Sequence, residues 1–355
     1  MPYIPDNMAR RIQADANERG QGDAIAPSII AYMYEAKLFK LFVPRELGGA
    51  MLPLPEAVKV FEEASRIDGS FGWLATIGSG GGFFSATLPL EQSKLIFAPE
   101  KALVAGSGHP NGVAKPTEGG YLVTGQWKYC SGAPYASVFT ANCRIEGTLG
   151  AEAVIRSFAF LPEQVNIIRD WNAFGLKATE SHSIEVCNVF VPAERTFDIM
   201  SDPHYDDPIF KYPFMPFAQT SFAAVCLGIC GHFLEEVRAF AESRRADWSI
   251  GRPERFATLL RTVEDQAIAF ERTKEQFHGT MERTWVAFVE NDGDMSEDHQ
   301  REVSDVCQGV ARSVLAYTHM LVPLLGMTVL MEDHPLNRIW RDLLTASQHS
   351  VLAPV

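Results

Sequence analysis

The spacing of apolar residues changes twice along this 355-residue chain, and that change limits the fold more than any other feature. Up to about residue 103 the spacing is helical. Ile29, Ile30, Met33 and Ala36 fall on one face, and Leu54, Val58, Phe61 and Ala64 on another. Pro53 and Pro55 suit a first helical turn. Breaks are predicted at Pro44–Gly49, Gly78–Gly82 and Pro89. From Leu103 to about Val191 the period falls to two. Gly119 and Gly120 mark a turn, and Tyr121 to Tyr129 alternates beyond it. Ser137–Cys143, Ala153–Leu161 and Ser183–Val191 follow, each rich in β-branched or aromatic residues. Short, turn-rich separations favour an antiparallel sheet or small barrel over βαβ units. From about Ile209 the helical period returns in longer elements. One stripe is Phe270, Phe277, Met281, Trp285 and Phe288; a second is Val303, Val306, Val310, Val314 and Leu321. The polar stretch Glu290–Asp294 between them predicts two long antiparallel helices of a bundle. The expected class is mainly α with a central β domain (α+β), divided at 1–103, 104–200 and 201–355.

Charge narrows the functions. Lys and Arg total 31 against 44 Asp and Glu, a net charge of −13. A nucleic-acid binder needs a basic surface to displace counterions, and an anionic bilayer repels such a chain. Neither partner is expected. Met1–Gly20 is polar, without an apolar leader core, so a cytoplasmic location is expected. The most apolar stretches, Phe214–Phe233 and Val314–Met331, carry Gln219, His232, His319 and Pro323. Both read as helices buried on all sides rather than membrane spans. The six cysteines form no CxxC pair, and Cys226 and Cys230 share a helix face. They read as small buried hydrophobes in a reducing compartment.

The common catalytic motifs are absent or incomplete. Gly106 and Gly108 form a GxG, but the third glycine is misplaced, and Pro110 and Pro116 prevent the helix a dinucleotide fold requires. Gly78–Gly82 lacks a following Lys-Ser/Thr and reads as a flexible or closely packed connection. Glu275 and His278 form a single ExxH, whereas di-iron bundles need the pair twice. It reads as a solvent-facing polar pair, and no metal is expected. HExxH and GxSxG do not occur.

Four segments remain: Leu41–Gly49 with Glu62–Ser70, Gly119–Gly132, Trp171–Ser181 with Ile184–Pro192, and Asn337–His349. In this order they resemble the acyl-CoA dehydrogenase superfamily of flavoproteins, over nearly the whole chain. The fold implied is an N-terminal helical domain, a middle antiparallel β domain and a C-terminal four-helix bundle. Dehydrogenases often carry a glutamate base shortly after the C-terminal Arg-Asp pair. Here no carboxylate lies between Asp342 and Val355, and the pattern Arg338 to His349 is similar to the two-component flavin monooxygenases of this superfamily. Ser70–Trp73 and the Pro110/Gly112 pair also look like that branch.

The resemblance assigns roles. Tyr129, Cys130 and Ser131 fall in the first flavin-contacting segment, with Tyr129 on the ring and Ser131 near N5. Thr179 and Ser181 fall in the second. Trp127 and Tyr129, two apart, are expected to share a face. His349 is the candidate catalytic group with Ser131, because an imidazole orients or deprotonates a phenolic substrate near neutral pH. His109, in the loop before the hairpin, and Trp73 are expected on the substrate side. Arg338, Arg341 and Asp342 read as a structural ion-pair network. The family's pyrophosphate motif is missing from Ala241–Gly251, which leaves FAD and FMN both open. A separate flavin reductase, a small-molecule substrate and a homotetramer are implied. Relatives continue beyond the histidine, so a compact end or a more open pocket is expected near Val355. Two other readings stand beside this one: an acyl-CoA dehydrogenase using Glu236, Glu264 or Glu271 as base, and a flavin-binding homologue without catalysis.

Overall fold

Residues 2–19, 24–148, 154–251 and 253–353 are described by a computed structural model. Helices α1 (Asp6–Glu18), α2 (Pro27–Glu35), α3 (Leu54–Ile67), α4 (Gly69–Gly80) and α5 (Leu90–Phe97) come first. Pro53 caps α3 and Pro55 sits in its first turn, while Leu54, Val58 and Phe61 turn inward. Asp68 ends α3 in an extended conformation and caps α4, its side chain accepting from Phe71 N at 2.9 Å. The glycines at 78–82 do not break the chain, because α4 passes directly into a 3-10 turn over Gly81–Ala86. They permit close packing: a Cβ on Gly78 would lie 2.4 Å from Phe39.

Strands β1 (Val104–Thr117), β2 (Gly120–Cys130), β3 (Val138–Ile145), β4 (Ile155–Phe160), β5 (Asn166–Ile168), β6 (His182–Pro192) and β7 (Thr196–Phe197) form one sheet of order β5-β6-β2-β1-β3-β4-β7. Residue Ala153, expected to open a strand, lies outside the described residues. The sheet is mixed rather than antiparallel. β1 and β2 form the hairpin at Gly119–Gly120, but β3 pairs with β1 in parallel. The segment Ser131–Ser137 carries the chain across β1 to its far edge instead of turning back beside β2.

Helices α6 (Phe214–Ser243), α7 (Arg245–Gly251), α8 (Pro253–Glu290), α9 (Glu297–Leu325) and α10 (Pro335–Ala346) complete the chain. α8 and α9 are the two long helices expected around the polar turn. Among the described residues, α6 alone is long and apolar enough to cross a membrane, and its apolar stretch is wholly buried in protein. The second apolar stretch is not buried all round: Met320, Met327 and Met331 are exposed, and the helix stops at Leu325. Phe42, Phe61 and Phe71 pack with Phe233, Phe277 and Phe288 in one core built from both ends of the chain. The sheet has its own core around Trp127, Phe158 and Phe160. All six cysteines are free, and only Cys187 is exposed. Burial pushes the Cys130, Cys143, Cys226 and Cys307 thiols up to about 12, which makes them unreactive.

Candidate active site

The site begins where β2 fails to stay regular. The register with β6 shifts between Trp127 and Cys130, and Tyr129 takes φ +68°. Strict alternation is lost at that bulge. Trp127 is fully buried in the sheet core, while Tyr129 is 63% exposed and meets the edge of Trp171. The two therefore do not share a face. Cys130 is buried in the same core, so its side chain faces away from the surface that Tyr129 borders. The chain then leaves the sheet. Gly132, at φ +75°, donates its N–H to the Thr179 carbonyl at 2.8 Å. That bond brings Ser131 beside the second loop.

The second loop, Trp171–Ser181, is pinned at Leu176. Leu176 has φ +52°. Its N–H donates to Asp342 Oδ1 at 2.6 Å, and its carbonyl accepts from Trp171 Nε1 at 3.0 Å and Thr179 Oγ1 at 2.7 Å. The loop lies so close to α10 that a Cβ on Gly175 would sit 2.1 Å from the Arg341 carbonyl. Thr179 and Ser181 are hydroxyl neighbours at 2.6 Å, and Ser181 meets Ser131 at 2.7 Å. From α4, Trp73 Nε1 donates to Ser131 Oγ at 2.9 Å. All four side chains are buried.

An aromatic wall continues from Trp73. Its ring stacks on Phe222 of α6 at 5.1 Å, and Phe222 stacks on His349 at 4.0 Å. Trp73 and His349 are 5.9 Å apart. The structure thus brings Trp73, Ser131, Thr179, Ser181 and His349 together from all three segments. Phe222 belongs with them and was not singled out from sequence, because it lies in an apolar stretch where every residue reads as core. Burial, with His109 nearby, pushes the His349 pKa down to about 4. The imidazole is neutral at pH 7. Its Nδ1 faces the Val351 N–H at 3.5 Å, which assigns the proton to Nε2. His109 is not in a loop before the hairpin. It sits on β1, within the irregularity between Ser107 and Gly112, and is exposed. A Cβ on Gly112 would lie 2.3 Å from Trp127, so this glycine serves packing and not a nucleotide.

Beneath the loop lies a buried charge cluster. Asp68 accepts from Arg19 at 2.9 Å and Arg338 at 2.8 Å. Burial works against its ionisation, but the two guanidinium groups outweigh it and hold Asp68 down to about 2. Burial and the neighbouring Asp68 push Asp342 up to about 6. Arg341 is not an ion-pair partner in this network; its guanidinium covers the Phe174 ring at 5.6 Å.

Two expectations about carboxylates are revised. Glu275 and His278 are not a solvent-facing pair. His278 Nε2 lies 2.5 Å from Oε2 of the buried Glu62, whose Oε1 accepts from Lys274 at 2.5 Å, while Glu275 is exposed. Glu264 and Glu271 line a separate cavity of about 560 Å³ between α6 and α8, and none of Trp73, Ser131, Phe222 or His349 borders it. Glu236 lies on α6 beside His232, at 3.9 Å.

Stacked aromatic rings beside a buried hydroxyl cluster are the kind of lining that a flavin ring and a planar substrate require. The comparisons with known proteins agree with that chemistry. The chain matches the acyl-CoA dehydrogenase N-terminal domain over residues 5–87 and the acyl-CoA dehydrogenase C-terminal domain over residues 220–354. It belongs to the acyl-CoA dehydrogenase superfamily. Indole-3-acetate monooxygenase of Acinetobacter baumannii is 26% identical over 349 residues, covering 96% of this chain and 88% of that protein. The 3-HSA hydroxylase of Rhodococcus sp. RHA1 shares the fold with a TM-score of 0.86 at 19% identity, over 98% of this chain and 90% of that one. XiaF from Streptomyces sp., solved with FADH2 and glycerol, shares it with a TM-score of 0.81 at 17% identity, over 98% and 89%.

Proposed function

We propose that this chain is the oxygenase component of a two-component flavin-dependent monooxygenase acting on a small aromatic substrate. The observation that carries the reading is the wall Trp73–Phe222–His349 beside the Ser131 hydroxyl cluster, with a neutral histidine and none of the glutamates 236, 264 or 271 bordering it. Reduced flavin, FMN or FAD, supplies the electrons that activate O₂ so that one oxygen atom enters the substrate. Ser131 holds the flavin, with Thr179 and Ser181 behind it and the main chain around Tyr129 and Cys130 alongside. Trp73 and Phe222 exclude water and seat a planar ring. His349 donates from Nε2–H to a substrate or oxygen lone pair and orients it, rather than removing a proton. His109 borders the substrate entrance. A separate reductase delivers the reduced flavin, and the enzyme works as a cytoplasmic homotetramer.

The test is a reductase-coupled reaction under ¹⁸O₂ with a panel of indoles and phenols. Products carrying one ¹⁸O atom are expected, together with slow reoxidation of the protein-bound reduced flavin in stopped flow. Quantitative release of H₂O₂ across the whole panel, or bleaching of bound flavin by acyl-CoA thioesters, would overturn the reading.

A further inference from the structure

The hydroxyl chain in the site has a direction, and its far end sets it. Thr179 Oγ1 lies 2.7 Å from the Leu176 carbonyl, which can only accept, so Thr179 places its single proton there. The 2.6 Å bond between Thr179 and Ser181 must then be donated by Ser181. The 2.7 Å bond between Ser181 and Ser131 must in turn be donated by Ser131. Trp73 Nε1, which can only donate, fills one lone pair of Ser131 Oγ at 2.9 Å. Each step removes a choice. Ser131 is left with no free proton and one free lone pair. All four side chains are buried, so water does not scramble the order.

We propose that the Leu176 carbonyl, acting through Thr179 and Ser181, fixes Ser131 as a hydrogen-bond acceptor, and that this polarity makes the site select reduced over oxidised flavin. The inference rests on the flavin reading above. A reduced flavin carries a proton on N5 and donates there; an oxidised flavin has only a lone pair at N5. Ser131 satisfies the first and opposes the second with lone pair against lone pair. Thr179 and Ser181 are positioning residues in this scheme, since they act through Ser131. The anchor is itself fixed, because Asp342 holds the Leu176 N–H at 2.6 Å.

The experiment measures dissociation constants of reduced and oxidised FMN and FAD anaerobically, for the full chain and for S181A, T179V and T179S. The intact protein is expected to bind the reduced form at least tenfold more tightly. S181A frees the Ser131 proton. T179V lets Ser181 reverse and donate to Ser131, with the same consequence. In both, the oxidised-to-reduced ratio falls on the order of tenfold. The midpoint potential of the bound flavin falls with it, by about 30 mV for a tenfold change in a two-electron couple. T179S keeps the donor to Leu176 and keeps the ratio. S181A loses one hydroxyl and no methyl group, so it reports even if T179V proves unfolded by circular dichroism. A ratio unchanged within twofold in folded S181A, or no preference in the intact protein, overturns the proposal while leaving flavin binding intact. Uptake of neither form by the intact protein overturns the flavin reading itself.

Discussion

His349 shows how one side chain's surroundings decide between two roles. Its resemblance-based assignment left orientation and proton removal both open. Burial and the proximity of His109 lower its pKa to about 4, and Nδ1 is turned to the Val351 N–H. A base needs an affinity for protons near the working pH, and this imidazole lacks it. With the folded value below the ordinary one, the ring stays neutral as pH falls from 8 to 5 and gains its proton only near 4. The kcat/KM profile of the intact enzyme should therefore show no limb near 6.5 that H349A removes. H349A should lower kcat/KM by roughly 10- to 100-fold, the loss of one buried hydrogen bond to a charged or strongly polar group. H349Q, which keeps an N–H donor, should recover part of that. A limb near 6.5 that disappears in H349A would return the residue to the role of base.

At the scale of elements, the irregular pieces make the site. The regular ones are legible in sequence: period two marks β2, β3, β4 and β6, and Phe270–Phe288 and Val303–Leu321 mark the two long helices, whereas β5 and β7, three and two residues long, are too short to carry a period. Those patterns are local. The bulge before Cys130 and the crossing of Ser131–Ser137 over β1 were not legible, because register and strand order are set by partners far away in sequence. Phe222 was hidden for another reason. On a helix buried on all sides no spacing separates a ligand-facing ring from a packing one. One close approach that bears on the site is Gly175 against α10. An added methyl would lie 2.1 Å from the Arg341 carbonyl and 2.6 Å from the Asp342 nitrogen, neither of which is a flexible end. G175A must therefore push the loop off α10, stretching the Leu176–Asp342 bond and the hydroxyl chain behind it. A loss of roughly 1–3 kcal/mol in unfolding free energy is expected, by denaturant titration, for such backbone overpacking. Flavin affinity should fall with it. A variant with wild-type stability and affinity would show that the loop's seat on α10 is not what holds the site.

For the whole molecule, the two helical ends share one core, the sheet has another, and a third apolar cluster of Val43, Leu88 and Phe97 with Val104, Val138 and Phe197 joins helices to sheet, so what else joins them matters. The buried cluster does so with charge: Arg19 from α1, Asp68 between α3 and α4, Arg338 and Asp342 from α10, and Leu176 from the β segment. Asp342 is the group out of balance, raised to about 6 by burial and by Asp68. Its folded pKa lies above its unfolded one, so the stability it contributes is complete below about 3.8 and is lost as pH rises through 6. Keeping it ionised at pH 8 costs on the order of 3 kcal/mol, two pKa steps of about 1.4 each. His232 and His349 act in the opposite sense. Both are lowered to about 4, so their contribution is complete above 6.5 and is lost as pH falls toward 4. Between pH 4 and 6.5 the intact protein should therefore show two opposed slopes that partly cancel. D342N keeps an oxygen for the Leu176 N–H and removes the charge. Relative to the intact protein it should be more stable at pH 8, by roughly 1–3 kcal/mol, and nearly equal at pH 4. The difference should level off above about 6.5, and acidification should destabilise D342N more steeply than its parent, because only the histidine slope remains. Denaturant midpoints at four pH values between 4 and 8 measure this. A difference independent of pH would mean that Asp342 is ionised throughout and that Arg19 and Arg338 neutralise both carboxylates at the junction.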